Sequence, residues 1–539
     1  MLNYFELQDF LFQNNPSRLD LVSYVPAKLE RSFKVSIVRN HSFELIEKSM
    51  APFLDFAGLS ISFFYSDYDD TLSFDNFDDS SDIAVLWLDL ERYNFPDINS
   101  FLEQRIEALL VKFDGDIIVA TIGGDFSIDE PRVKTYDLMS WKNVYDEDFI
   151  DERLEKVTGT RLGVKASLSV TKDLGLKWFP AMLFPTLKCI VVDLDNTLYQ
   201  GIIGEDGFDG VVLTEGHMKL QSRLRELSQM GFFLCIASKN DERDVLELFK
   251  ERPDFPLKIG DFSKICANWD AKTKSIEDIS NALNIHPSSF LFIDDNLGEL
   301  HSVNNAYPSV KLIWAKDNAA VTSQVLENYP GLMRLTSQSE DGLRSKDIKA
   351  NEERNKLLES VGQVEYIKSL DMELSFSLNN KLQTSRVAEL ANKTNQFIFN
   401  YRRYSHADIE RIMTDPEVSL VTVSLSDKLS DSGLIGTLVC RLLSGGGMVA
   451  AQLDECFVSC RALGRGIDEA IVLGAIDVAL KDLGVDKLVV QFQNGERNLP
   501  AKNFVETHFH EHLNSASEFK FDFPSHLIKS KILKANHEH

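Results

Sequence analysis

The feature that most constrains this chain is the stretch from Cys189 to Gly210, CIVVDLDNTLYQGIIGEDGFDG. An apolar, β-branched run from Cys189 to Val192 reads as a buried strand, and it ends on Asp193 and Asp195, two carboxylates spaced i, i+2. That spacing aims both at one site. Carboxylates this close repel unless a cation or a proton sits between them, so DxDxT after a strand implies Mg²⁺ or a shared proton. One Asp can then attack phosphorus while the other carries the proton of the leaving or attacking oxygen. The competing account is a strand that merely ends in an Asx turn.

The strands that follow decide between the two. FFLCIAS, SFLFID and VKLIWA are further apolar runs, separated by helix-like segments at His217 to Met230, Glu242 to Glu251 and Ile276 to Leu283. Such alternation makes a parallel sheet whose ligands collect at the carboxyl ends of the strands. Ser238 closes one strand in IASKN, Lys272 opens a helix in NWDAK, and Asp294 and Asp295 close a third strand in FIDDN. The hydroxyl can hold phosphoryl oxygens, the Lys can neutralise charge on a transferring phosphate, and the acids offer oxygens to a hard cation. Alone, each is ordinary: a turn Ser, a surface Lys, an N-cap. Four such parts in fixed order on successive strands are not. Between Thr197 and Ser238 there is room for a flap (Ile202 to Gly210) and one helix, and between Ser238 and Lys272 for a helix and a loop, so no cap domain is inserted. The open mouth suits a phosphate at the end of a carrier-bound arm.

A length of 539 residues allows about three or four domains. The expected boundaries are an N-terminal α/β domain at 1–165, the central domain at 186–335, a helical linker at 336–370 and a third domain at 371–525. In the first, KVSIVRN, LSISFFYS, IAVLWLDL and DIIVATIG read as strands, and Tyr136 to Phe184 as a helical connector. A second DxDxT, Asp67 to Thr71 in SDYDDTL, is followed by no ordered hydroxyl, Lys and acid, and reads as an exposed acidic loop. The formal net charge of -26 argues against a nucleic-acid partner, which would need a basic excess. Glu6 and Asp9 interrupt an N-terminus without a basic n-region, so it does not read as a signal peptide, and no run is long enough to span a membrane. Six scattered cysteines fit free thiols in a reducing compartment; the expectation is a soluble, cytoplasmic protein with no membrane partner.

In the third domain MELSFSL, VSLVTVSL, LIGTLVCRLL, MVAAQLDECFVSC and KLVVQFQ read as strands and Ile467 to Leu483 as an amphipathic helix. Between them lies Arg461-Ala-Leu-Gly464-Arg-Gly466, an RxxGxG loop whose glycines let backbone approach a pyrophosphate at a helix N-terminus. Strand, loop and helix in this order resemble the acyl-CoA site of GNAT acyltransferases. CoA and carrier proteins share a phosphopantetheine arm, so either could be held there. Cys460, beside Arg461 and that N-terminus, has surroundings that would lower a thiol pKa and suit an acyl relay; the alternative for it and for Cys456 is a buried small hydrophobe.

DLDNTL, SKN, the Lys and DD, in that order, resemble the haloacid dehalogenase superfamily of Mg²⁺-dependent phosphotransferases. VVDLDNTLYQGIIGEDGFDGVVL, ASKND, NWDAK and FIDDNLGEL look like its FkbH-like subfamily, and LTSQSEDGLRSKD, NEERN, LANKTNQF and SCRALGRGI extend the likeness over residues 190–510. Leu297 stands where that family usually shows Pro. The resemblance implies a multidomain α/β enzyme with a degenerate SGNH-like first domain. It would take a phosphoglyceryl unit from 1,3-bisphosphoglycerate and load glyceryl onto an acyl carrier protein. Asp193 would be the nucleophile, Asp195 the proton carrier, and Ser238 and Lys272 the phosphoryl holders. Mg²⁺ would be held by Asp193, the Asp195 carbonyl and Asp294, with Asp295 in support, and Asn503 in AKNF would line the arm's groove. Two other readings stay open: a GNAT-type acyltransferase with an accessory phosphatase, and a non-catalytic carrier-docking protein.

Overall fold

Short apolar runs become parallel strands wherever helices cover both faces, and the first third of the computed structural model is built this way. The structure describes residues 2–27, 32–68, 71–95, 97–316, 318–335, 354, 363–394, 396–445, 448–459, 462–463, 465–495 and 498–534. The chain divides into two units, Met1–Ser337 and Gln338–His539. Of the expected linker at 336–370, the described part is Arg354 and the helix Gln363–Leu370.

The first sheet of the N-terminal unit contains β1 (Phe33–Arg39), β2 (Ile61–Tyr68), β3 (Ile83–Asp89), β4 (Asp116–Ile122) and β5 (Val133–Asp137). All pair in parallel in the order β2-β1-β3-β4-β5. Central β3 is buried along its whole length. Edge strand β5, VKTYD, is partly exposed and polar at Lys134, Thr135 and Asp137, so it does not read as an apolar run, and the expected connector begins inside it. That connector is helical as expected, with Glu152–Thr158, Val164–Asp173 and Phe179–Leu183 among its helices.

The second sheet contains β6 (Cys189–Val192), β7 (Phe233–Ser238), β8 (Lys264–Ala267), β9 (Phe290–Asp294) and β10 (Lys311–Trp314), all parallel, in the order β10-β9-β6-β7-β8. Chain order reverses on either side of β6, which puts the ligand crevice of such a sheet at the carboxyl end of that strand. The sequence reading passed over β8, a four-residue edge strand starting on Lys264, and counted it as loop. No further domain is inserted: β6 leads through the helical flap Ile203–Gly210 and the helix Glu215–Gln229 to β7, and β7 through the helix Glu242–Glu251 to β8. The N-terminal helix Leu2–Phe12 belongs to this sheet, because Leu7, Leu11 and Phe12 share its core with Ile190, Val192 and Ile313.

The C-terminal unit has one sheet of seven strands: β11 (Glu373–Leu378), β12 (Val418–Ser426), β13 (Asp431–Gly445), β14 (Met448–Val458), β15 (Lys487–Val490), β16 (Ser517–Glu518) and β17 (Lys529–Lys534). Pairing is antiparallel from β11 to β14, then parallel between β14 and β15. Strand β17, KSKILK, pairs in parallel with β11 and carries the sheet past residue 525, where the sequence reading closed the domain; its lysines hid it. The helix Asp468–Leu483 is buried along most of its length against this sheet. Among the described residues no helix is long and apolar enough to cross a membrane.

β14 and β15 pair only over Ala451 to Leu453 and Leu488 to Val490. Beyond that point the segment Phe397 to Arg402 fills the gap: Val458 N–H donates to Phe397 O (3.0 Å) and Gln493 N–H to Phe399 O (2.9 Å). Fully buried Glu455 anchors the segment, its carboxylate accepting from the backbone N–H of Phe399 (2.8 Å), Asn400 (2.9 Å), Arg402 (2.8 Å) and Cys456 (2.9 Å). Burial pushes its pKa up, and those N–H groups oppose the shift. Glu455→Ala strands buried donors at about 1–3 kcal/mol each. It is expected to lower the calorimetric melting transition of the C-terminal unit by several degrees; an unshifted transition contradicts the anchoring role.

Candidate active site

Four strand or helix ends converge at the carboxyl edge of the second sheet. Asp193 follows β6, Ser238 ends β7, Lys272 is the first residue of the helix Lys272–Leu283 after β8, and Asp294 ends β9. Parallel strands in register bring these ends level: Val192 pairs with Ile236 on one side and Ile293 on the other. Asp193, Ser238, Lys272 and Asp294 are each 5% exposed or less.

Lys272 Nζ lies 2.5 Å from Asp193 Oδ1 and 2.6 Å from Asp294 Oδ2. An ammonium has three donors, so this arrangement leaves one for a further oxygen. Asp193, Asp294 and Asp295 each offer a carboxylate oxygen within 4.8 Å of the others. One buried cation therefore faces three clustered acids. The imbalance shows in their protonation: burial and then the charge of Asp193 push Asp294 up to about 7 and Asp295 up to about 6, with Lys272 opposing in both. Burial also raises Asp193, against the pull of Lys272. For Lys272, burial works to lower the pKa, but the two carboxylates outweigh it and hold the ammonium above its ordinary value. Oxygen-only donors with surplus negative charge fit a hard divalent cation such as Mg²⁺.

Asp195 sits beside this cluster with its carboxylate outside it. Its Oδ1 accepts from the Tyr199 hydroxyl (2.8 Å) and the Ile203 N–H (3.2 Å), and its Oδ2 from Asn240 Nδ2 (2.8 Å). Asn240 Nδ2 also donates to Ser238 Oγ (2.9 Å), linking the proton carrier expected at Asp195 to the hydroxyl expected to hold phosphate. Sequence reasoning did not single out Asn240, although its spacing from Ser238 repeats that of Asp195 from Asp193 and carried the signal. Lys239 between them ion-pairs with Glu299 on the helix Leu297–Ala306. Asp294 Oδ1 accepts from Asn296 N–H (2.8 Å), a turn that Leu297 in place of Pro leaves intact.

The C-terminal candidates are placed differently. Cys460, Arg461 and Gly464 lie outside the described residues. Gly466 has φ 73°, in the left-handed region, two residues before the helix Asp468–Leu483. Asn503 is exposed on the helix Leu499–His508. Cys456 is buried in β14, and burial raises its thiol well above the ordinary value. The first turn of the helix after the loop carries Asp468 and Glu469; burial, then Glu469, pushes Asp468 up to about 6.

The SDYDDTL copy makes no such site. Asp67 lies on exposed β2 and accepts from Asn76 Nδ2 (3.0 Å), and Asp69 lies outside the described residues.

No protein-family model matches the chain, and no curated protein matches it in sequence. Among solved structures, the chain is similar to the magnesium-complexed N-terminal part of a Bacteroides fragilis protein containing a phosphatase domain, at 18% identity over 61% of this chain and 99% of that one, with a TM-score of 0.43. It is also similar to D,D-heptose 1,7-bisphosphate phosphatase from B. bronchiseptica, complexed with magnesium and phosphate, at 11% identity over 26% and 98% of the two chains and a TM-score of 0.21. A ribosomal-protein-alanine N-acetyltransferase from Brucella melitensis biovar Abortus is similar at 18% identity over 28% and 97%, with a TM-score of 0.20. These likenesses are slight, and the chemistry of the site rests on its own geometry.

Because Asp294 and Asp295 are protonated below about 7 and about 6 without a cation, binding a divalent ion must displace protons. The affinity for Mg²⁺ or Mn²⁺ is therefore expected to fall roughly tenfold or more from pH 8 to pH 6. Calorimetric titration at the two pH values, with proton release followed in buffers of different ionisation enthalpy, checks it.

Proposed function

We propose that this protein is a divalent-metal-dependent phosphatase or phosphotransferase of the haloacid dehalogenase type, working through an aspartyl phosphate on Asp193. The observation that carries this reading is the buried Lys272 bridging Asp193 and Asp294 beside Asp295, at the carboxyl end of the central strand. A Mg²⁺ ion held by Asp193, Asp294, Asp295 and the Asp195 carbonyl would neutralise phosphoryl charge and align the group for attack.

The steps of this chain's own residues follow from their contacts. An Asp193 oxygen attacks phosphorus, the bond to the leaving oxygen breaks, and Asp195 gives that oxygen its proton. Water then attacks the aspartyl phosphate, Asp195 takes its proton, and orthophosphate leaves with Asp193 restored. Tyr199, Ile203 N–H and Asn240 fix the Asp195 carboxylate for both transfers. Ser238 and the remaining donor of Lys272 hold phosphoryl oxygens.

The substrate proposed from the sequence resemblance is a phosphoglyceryl unit. A carrier thiolate adds to the acyl carbon of 1,3-bisphosphoglycerate, the bond to the 1-phosphate breaks, and the 3-phosphate of the resulting thioester is removed at Asp193. The absence of an inserted domain around β6 to β8 supports a substrate presented on an arm. Trp269 supports it too, as an aromatic 76% exposed on the short loop that begins with Asn268 N–H bonded to Ser238 O and ends at Lys272. Acyl transfer from CoA finds less support, since Asp468 and Glu469 set two acids at the helix N-terminus where a pyrophosphate would bind.

Asp193→Asn is expected to abolish phosphate release with the circular dichroism spectrum unchanged, and Asp195→Asn to lower kcat by about 10²–10⁴-fold. Phosphate release from wild-type protein should stop in EDTA and return with Mg²⁺; release that persists in EDTA refutes the metal. Intact mass of candidate carriers after incubation with 1,3-bisphosphoglycerate reads the second half: a glyceryl adduct supports loading, and a bare carrier beside free phosphate leaves a plain phosphatase.

A further inference from the structure

The loop carrying Asp294 and Asp295 is held from outside the site by a chain of contacts that ends on the N-terminal helix. Both backbone carbonyls of the acid pair are engaged by the end of β10: Ala315 N–H donates to Asp294 O (2.9 Å) and the Trp314 indole N–H to Asp295 O (2.9 Å). β10 is an edge strand, so the outward N–H and C=O of Trp314 have no neighbouring strand to pair with. The Gln8 side chain supplies that pairing, its Nε2 donating to Trp314 O (3.0 Å) and its Oε1 accepting from Trp314 N–H (3.2 Å). A primary amide carries the same donor and acceptor as a peptide group, so one side chain closes the strand's edge at the residue whose indole reaches the metal loop.

Two more contacts fix the same tryptophan. Lys316 Nζ lies 4.2 Å from the centre of the Trp314 ring, and Phe5 of the N-terminal helix packs against that ring at 5.7 Å. Lys316 pairs in turn with Asp9 (2.7 Å). Phe5, Gln8 and Asp9 lie within about one turn of helix and all converge on β10's carboxyl end. Gln8 is 1% exposed, an unusual burial for an amide unless its bonds are needed.

We propose that Gln8 and Trp314 are positioning residues for the divalent-cation site, with the N-terminal helix serving as a strut that sets the orientation of the Asp294–Asp295 peptide. The inference rests on the reading that these acids hold a cation. Neither residue touches the reacting atoms; each acts through the geometry of the loop, as partners one step removed from a metal commonly do.

The test is calorimetric titration of Mn²⁺ or Mg²⁺ into the full-length wild-type protein and three variants. Trp314→Phe keeps an aromatic ring but removes the indole N–H together with the pyrrole part of the side chain; Gln8→Ala removes the amide; Glu6→Ala changes an exposed residue of the same helix. The expected result is a dissociation constant about tenfold higher in Trp314→Phe and in Gln8→Ala, and unchanged in Glu6→Ala. Equal affinity in all four proteins overturns the proposal, as does a lowered melting temperature in Gln8→Ala with affinity intact, which would make the contact structural only. If Trp314→Phe does not fold, Gln8→Ala decides alone. A wild-type protein that binds no cation overturns the metal reading itself, and this inference with it.

Discussion

Everything specific about the second sheet follows from an excess of negative charge at its carboxyl edge. Asp193, Asp294 and Asp295 cluster there, largely out of water, against a single ammonium. Buried carboxylates beside one another raise each other's pKa, and one Lys cannot cancel three. The fold tolerates this because strand ends and helix starts are already fixed by their apolar runs: the helix led by Lys272 buries Ile276, Ile279 and Leu283, and β9 is buried throughout. The core holds the acids where solvent would not leave them, which makes the site ready for a cation.

How much of this was legible in the sequence depends on how each element announces itself. β6, β7 and β9 are buried throughout and read as unbroken apolar runs, and edge strand β10 still keeps Leu312, Ile313 and Trp314 in a row after its lysine, so these strands and the acids at their ends were visible. β5, β8 and β17 lie at sheet edges, where one flank meets water and Lys or Thr is tolerated, and their patterns do not differ from loop. Asn240 was within reach, being two residues from Ser238, just past the end of β7. Gln8 was not. It stands 306 residues from Trp314, and no local pattern in LNYFELQDFLF marks one amide as the pairing edge of a distant strand.

The C-terminal unit keeps the expected order of elements and differs in detail. Strand, loop and helix follow in the expected order, yet the gap where β14 and β15 part is filled by the chain's own Phe397 to Arg402. Glu455 makes that filling stable, since a carboxylate can accept several N–H groups at once where a neutral side chain cannot. Arg465, the second arginine of the loop, is also committed: it is 4% exposed and lies against Asp427 (3.5 Å) and Ser432 (3.1 Å). Asp427 in turn binds Arg354 at 2.7 Å, so the single described residue of NEERN is part of this unit's interior.

The two parallel sheets of the N-terminal unit make a controlled comparison. Each gathers charged side chains at the carboxyl ends of its central strands, as the topology dictates. At the first sheet Asp89 is gripped by two guanidinium nitrogens of Arg161, Nε and Nη2 (2.7 and 2.8 Å), Glu91 pairs with the third, Glu155 with Arg92 and Glu44 with Arg39. His41 beside them is fully buried, stacked on Trp87, and pushed well below its usual pKa by burial and then by Arg92, Arg161 and Arg39, so it stays neutral. Each of these carboxylates has a guanidinium within reach, and the cluster asks for no further ion. At the second sheet one Lys faces three acids. The difference between the two edges therefore lies in charge balance rather than in fold: the surplus of acid over base gathers only beside the DxDxT whose later strands bring further acids to it.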